Sequence, residues 1–163
     1  MSLSRLVPAD FDEVLALNAA CTPHVGEVTR TELAHLVGEA TEAAVMRDEA
    51  GVTGFVIALE RSASYGSPNF RWFCERYERF LYVDRIAVAA RDRGLGLGRL
   101  LHDRVLAVAR ERSLGLVTCE VNLVPPNPAS LAFHERLGFR RVGDVAHVPG
   151  EKEVTMLARD AAA

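Results

Sequence analysis

No apolar run in this chain of 163 residues approaches the ~20 needed to span a membrane. The amino terminus, Met-Ser-Leu-Ser-Arg-Leu-Val-Pro, carries no apolar stretch of the signal-peptide kind, so a cytoplasmic location and no membrane partner are expected. Basic residues are not in excess: the net charge is −3 and the pI about 6.0. A general nucleic-acid surface needs such an excess, so no nucleic-acid partner is expected. Cysteine is scarce, and Cys21, Cys74 and Cys119 have neither metal nor redox spacing. They read as buried or half-buried thiols. The histidines, His24, His35, His102, His134 and His147, include no His-x-x-x-His pair, and no metal site is expected. No internal repeat, linker or low-complexity segment precedes the Ala161–Ala163 tail. The remainder is ordinary: 49% hydrophobic and 25% charged residues describe one soluble domain, residues 1–163, long enough for a real core and too short for two comfortable ones.

Local patterns order the elements. Residues 3–8 read as a strand ended by Pro8, and Asp10 as the cap of a helix from Phe11 to about Ala20. Thr29 or Thr31 starts a second helix. Two β-rich runs, 43–47 and 52–59, flank the turn Asp48-Glu49-Ala50-Gly51. Seven of the eleven aromatic residues lie between Tyr65 and Tyr82, so this stretch should supply much of the core. After Ser67-Pro68-Asn69, the spacing of Phe70, Phe73, Tyr77 and Phe80 predicts one helical face packed inward. Trp72, on the other side, suits a pocket or an oligomer contact such as a homodimer. Residues 81–88 form a strand. Leu97, Leu100, Leu101, Val105 and Val108 form the apolar stripe of the next helix, and 115–122 the next strand. Pro125-Pro126 is a rigid break. Asn127 before Pro128 starts another helix, which Gly138 ends. Two strands, roughly 140–148 and 153–159, follow around Pro149-Gly150. The order predicts a mixed α/β domain in which the strands around 81–88 and 115–122 are parallel neighbours.

Between those two strands lies Arg91-Asp92-Arg93-Gly94-Leu95-Gly96-Leu97-Gly98-Arg99. A glycine loop that opens a helix lets main-chain N–H groups approach a phosphate, and the helix dipole adds to the attraction. Arg91, Arg93 and Arg99 flank it with guanidinium groups suited to a polyphosphate. A P-loop would need Gly-Lys-Ser/Thr, which does not occur. A dinucleotide fingerprint would need a third glycine where Arg99 or Leu101 stands. The residues themselves thus indicate a phosphorylated cofactor that neither motif describes.

Arg93-Gly94-Leu95-Gly96-Leu97-Gly98 resembles the Gln/Arg-x-x-Gly-x-Gly/Ala hallmark of the GNAT N-acetyltransferase superfamily. Asn127-Pro128-Ala129-Ser130 and Phe133-His134-Glu135-Arg136-Leu137-Gly138-Phe139 resemble its second half, so residues 81–143 carry the likeness. Ser67-Pro68-Asn69-Phe70 and Tyr82-Val83-Asp84-Arg85-Ile86 look like a branch of predicted bacterial acetyltransferases. The resemblance implies a central, mostly antiparallel mixed sheet flanked by helices, with a gap between the fourth and fifth strands. It implies acetyl-CoA as cosubstrate, without a metal, and an amine acceptor that is a small molecule or a peptide. The main chain of Ile86, Ala87 and Val88 would pair with the pantetheine arm. Arg93, Gly94, Leu95, Gly96, Leu97, Gly98 and Arg99 would hold the diphosphate, and Asn127 and Ser130 would face the cosubstrate. A non-catalytic acyl-CoA-binding module and another kind of nucleotide-binding protein are the rival readings.

Acetyl transfer to an amine needs a base, a donor for the developing oxyanion and a proton for the leaving thiolate. Glu120 shares side-chain parity with Thr118 and Asn122 on the strand beside the cosubstrate. It matches by motif position a glutamate that is the base in some ribosomal-protein N-acetyltransferases, although Asn127 lies two residues further on than in that pattern. Asp84 is the competing base. His134 stands where the family usually has tyrosine and is the expected proton donor. Asn127, Ser130 and His134 fall within ~60° on their helix, making a polar ridge. The N–H of Val88 is the expected oxyanion donor, and Trp72, Tyr65 and Arg76 are the expected acceptor contacts.

Overall fold

The computed structural model describes residues 1–162. Seven strands form one sheet in the order β1-β2-β3-β4-β5-β7-β6. They are β1 Ser2–Arg5, β2 Glu42–Asp48, β3 Gly51–Glu60, β4 Phe80–Val88, β5 Leu116–Val124, β6 Arg140–Val148 and β7 Lys152–Asp160. The helices are α1 Phe11–Ala20, α2 Arg30–Glu39, α3 Pro68–Cys74, α4 Leu97–Glu111 and α5 Pro128–Arg136. Five of the six neighbouring pairs are antiparallel, and β4 with β5 is the parallel one, as the crossover through α4 requires.

Each face of the sheet has its own core. On one face Leu97, Leu101 and Val105 of α4 cover Val56, Leu81, Val117 and Leu157. On the other, Val14, Leu33, Phe70 and Phe73 of α1, α2 and α3 cover Phe55, Ile57, Tyr82 and Met156. Phe70 and Phe73 lie 5.5 and 5.6 Å, centroid to centroid, from the Tyr82 ring. Each such fully buried side chain contributes about 1.5–3 kcal/mol.

Three local expectations are corrected, and the surroundings of Trp72 are defined. The aromatic stripe is not one helix: α3 stops at Cys74, Tyr77 lies beyond it, and Phe80 opens β4 opposite Leu116. The rings still meet because chain reversal brings strand and helix together. Leu100 is exposed, since the buried stripe of α4 passes through Leu97, Leu101 and Val105 instead. Asp10 accepts from the Val7 N–H at 2.9 Å and from Arg47 at 2.6 Å, serving the 3-10 turn Pro8–Asp10 rather than α1. Trp72 lies against the backbone of β6: a Cβ on Gly143 would stand 2.6 Å from its Cζ2. Its ring carries Arg76 at 3.7 Å, so Trp72 and Arg76 form a packed pair.

Candidate active site

β4 and β5 pair only from Phe80–Tyr82 against Leu116–Thr118. Beyond that, β4 pairs with β3 alone and β5 with β7 alone. Asp84 is skipped in the β3 ladder, where Val83 faces Ala58 and Arg85 faces Ile57. Such a bulge bends its strand and increases its twist, which turns the far end of β4 away from β5. The result is a gap: Ile86, Ala87 and Val88 pair with β3 along one edge of β4 and face no strand along the other. Near its apex the Thr118 hydroxyl is buried without a partner among the described residues.

The glycine loop stands at the open end. Ala89 N–H donates to the Thr53 carbonyl at 2.8 Å and anchors the chain before the loop. Gly94 and Gly96 have φ of +84° and +80°, left-handed values that favour glycine. Leu100 N–H is the first in α4 to reach a carbonyl, that of Gly96 at 3.1 Å. The amides of residues 94–99 before it have no partner among the described residues. They sit at the positive end of the α4 dipole and form a ready anion cradle. Gly98 is small for a different reason: a Cβ there would lie 3.1 Å from the Phe133 ring of α5. Of the flanking arginines, Arg99 is exposed and unpaired among the described residues. Arg91 instead pairs with Asp48 at 3.0 Å. Arg93 turns toward the Val88 carbonyl at 3.4 Å and Cys21 Sγ at 3.7 Å. Asn127 accepts from Ser130 N–H at 3.4 Å and so caps α5.

Glu120 projects on the α1–α3 face and is half-buried. Tyr82 O–H lies 2.9 and 2.8 Å from its two carboxylate oxygens, and Asn69 Nδ2 donates to Oε1 at 3.1 Å. Burial, with the Asp84 charge second, pushes its pKa up to about 8, against the pull of the Tyr82 and Asn69 hydrogen bonds and of Arg85. Asp84 is committed elsewhere, accepting from Arg85 Nε at 2.9 Å with both side chains buried. Arg85 also donates to Asn18 Oδ1 and to the Gly26 carbonyl, each at 3.0 Å. Asn122 of β5 donates to the Pro23 carbonyl at 3.3 Å. The segment between α1 and α2 is therefore tied to both walls of the gap. Tyr65 contacts Asp84 and Arg85, and burial raises its pKa. Of the three residues expected to meet the acceptor, Tyr65 alone joins this cluster.

The profile of the Acetyltransferase (GNAT) family matches residues 13–139. The chain belongs to this family. No curated protein sequence matches it. Among solved structures, Ard1 from Thermoplasma volcanium is 19% identical, with 98% of this chain and 96% of that one covered and a TM-score of 0.80. The ribosomal-protein-S18-alanine N-acetyltransferase from Escherichia coli is 17% identical, covers 98% and 93%, and has a TM-score of 0.74. The GphF GNAT-like decarboxylase in complex with isobutyryl-CoA is 20% identical, covers 99% and 100%, and has a TM-score of 0.79. At these identities the likeness is one of fold.

In this GNAT chain His134 lies on the opposite face from Glu120. Its Nδ1 is 2.7 Å from the Ser130 carbonyl and 3.3 Å from the Ser130 hydroxyl. Burial lowers its pKa, so the neutral ring, with its proton on Nδ1 facing the carbonyl, is favoured. Its remaining nitrogen then accepts rather than donates. The His102 ring meets it edge-on at 5.2 Å, and the His102 Nε2 is buried without a partner among the described residues. Burial brings the His102 pKa down to about 3, with His134 and Arg159 adding to the effect. The unfolded chain takes up that proton near pH 6.5 and the folded chain does not, so stability falls as pH drops below about 6.5. We expect unfolding free energy at pH 5 to be about 2 kcal/mol lower than at pH 8 from this group, and His102→Phe to reduce the slope. Urea titrations across pH measure both, and a flat wild-type profile would contradict the prediction.

Sequence reasoning missed Asn69, His147, Arg85 and Asn18 as site residues. Asn69 reads as part of a helix start and Asn18 as one residue in a helix. Their contacts with the gap span 51 and 67 residues of sequence. The one local clue was Tyr82, a phenol on the strand predicted to lie beside Glu120.

Proposed function

We propose that this GNAT acyltransferase moves an acetyl group from acetyl-CoA to the primary amine of a small-molecule or peptide acceptor by direct attack. The observation that carries the reading is Glu120, a carboxylate with a raised pKa held on the wall of the strand gap. The anion cradle at residues 94–99 and the free edge of β4 fit the diphosphate and pantetheine of coenzyme A. The names of relatives with this fold, an alanine N-acetyltransferase and an isobutyryl-CoA complex, support the same class. When bound, acetyl-CoA supplies an activated acetyl thioester.

The chain's own residues do the rest. Amides 94–99 and Arg99 bind the phosphates, and Ile86, Ala87 and Val88 align the arm along β4. Ser130 lies on the α5 wall, and Asn127 fixes that helix by capping it. Glu120 takes the proton from the acceptor ammonium, which must be neutral to attack because amine pKa values near 8–10 keep it charged at pH 7. Asp84, held by Arg85, raises the Glu120 pKa toward that of the amine, which improves the match for proton transfer. Val88 N–H is the donor for the carbonyl oxygen. His134, neutral at pH 7, has to be charged before it can protonate the thiolate.

Calorimetry with acetyl-CoA, followed by thiol release across small amines, amino acids and peptides, tests the proposal. Heat with acetyl-CoA and amine-dependent thiol are expected. Binding without thiol for any amine would make the chain an acyl-CoA-binding module. Protection by ATP or NAD but not by acetyl-CoA would overturn the cosubstrate as well.

A further inference from the structure

Two segments far apart in sequence, α3 and β6, approach the Glu120 carboxylate from one side. His147 Nε2, on β6, is 2.6 Å from Asn69 Oδ1, and Asn69 Nδ2, on α3, is 3.1 Å from Glu120 Oε1. An amide can turn over, exchanging its oxygen and nitrogen, and its partners decide which end goes where. In its ionised form, the one that takes up the proton, the carboxylate accepts only, so the amide nitrogen must face Glu120. The amide oxygen then faces His147, whose Nε2 must carry a proton. The reversed amide would set oxygen against carboxylate and lose the bond to Glu120. We infer that Asn69 and His147 are positioning residues for Glu120: the imidazole N–H orients the amide, and the amide N–H holds one carboxylate oxygen for proton transfer. This inference rests on the reading of Glu120 as the base.

The surroundings leave this task to few groups. From β4, Tyr82 donates to the carboxylate, Asp84 adds negative charge and Arg85 positive charge. Tyr65 is turned to Asp84 and Arg85. Cys119, next in the chain, is buried in the α4 core on the other face. From β6, the donor is His147, acting through Asn69. Both donors favour the ionised carboxylate, so losing the amide donor makes Glu120 harder to ionise. His147 is half-buried on the outermost strand, so its replacement disturbs little packing.

The test is the pH dependence of kcat/KM with one fixed amine and saturating acetyl-CoA. In the wild type the rate should rise through a limb near pH 8. Asn69→Ala should move that limb up by about one pH unit, since the lost amide donor holds the Glu120 pKa down. His147→Ala should move it in the same direction, and His147→Gln, which keeps an N–H donor, should largely restore it. The double variant should go no further than Asn69→Ala alone. Acetyl-CoA affinity should stay unchanged throughout. A merely structural role would lower the melting temperature or the rate at every pH and leave the limb in place. An unmoved limb in both Ala variants, or shifts that add in the double variant, would overturn the inference. Should Asn69→Ala not fold, the two His147 variants decide the matter. If Glu120→Gln also leaves the limb in place, the base assignment itself is wrong. If Glu120→Gln abolishes the limb while Asn69→Ala and His147→Ala leave it unmoved, only the positioning role falls.

Discussion

Glu120→Gln is expected to lower kcat/KM at pH 7 by about 10²–10⁴, the usual worth of general-base catalysis, without changing acetyl-CoA affinity. Glutamine keeps the shape and still offers an oxygen to Tyr82, so the fold should survive the exchange. With its pKa near 8, Glu120 is about one-tenth ionised at pH 7 in the wild type. Activity should therefore climb roughly tenfold between pH 7 and 9 and then level. The variant keeps only the amine's own ionisation, so its deficit should shrink as the amine deprotonates itself. Rate profiles of both proteins from pH 6 to 10 measure this. A deficit that is constant with pH, with the limb near 8 retained, would remove Glu120 from the proton transfer.

Gly96→Val is expected to weaken coenzyme A binding by about 10²-fold. The residue sits at φ +80° as the cap before α4, where a β-branched side chain costs roughly 1–2 kcal/mol. The loop relieves that strain by rotating its peptides, and the rotation takes amides of the cradle off their common focus. Losing one or two charge-assisted hydrogen bonds at roughly 1.5–3 kcal/mol each accounts for the factor. A Cβ there meets nothing, so the melting temperature without ligand should fall only by the few degrees that the backbone strain costs. Calorimetry with coenzyme A supplies the measurement. Unchanged affinity would mean that the diphosphate lies elsewhere. Gly98 makes a contrast: its replacement would press on Phe133 and shift α5, lowering stability as well as affinity.

Much of the fold was legible because its signals are local. Asn127 before Pro128 and Gly138 at φ +94° bound α5 as read, since a cap, a fixed φ and a left-handed residue act within one turn. Thr29 caps α2 by accepting from Glu32 N–H at 3.1 Å, again within one turn. The aromatic run failed the same kind of reading because spacing cannot distinguish one helix from a helix and strand whose rings meet after a reversal. Phe80 joins β4 through its ladder with Leu116, 36 residues further on. The packing of Trp72 on Gly143 is a product of the fold, since nothing near either residue in sequence announces the contact.

The chain's local sequence determines the glycine loop and the helix that follows it: three glycines, a helix start and the residues around them need only their immediate neighbours to take shape. The acid–base character of Glu120 belongs to the folded molecule. It depends on a bulge at Asp84 that opens the gap, on Tyr82 and Asn69 arriving from two other elements, and on burial that no short window of sequence encodes. A pKa responds to every charge and dipole within several ångströms in space, and folding alone decides which residues those are.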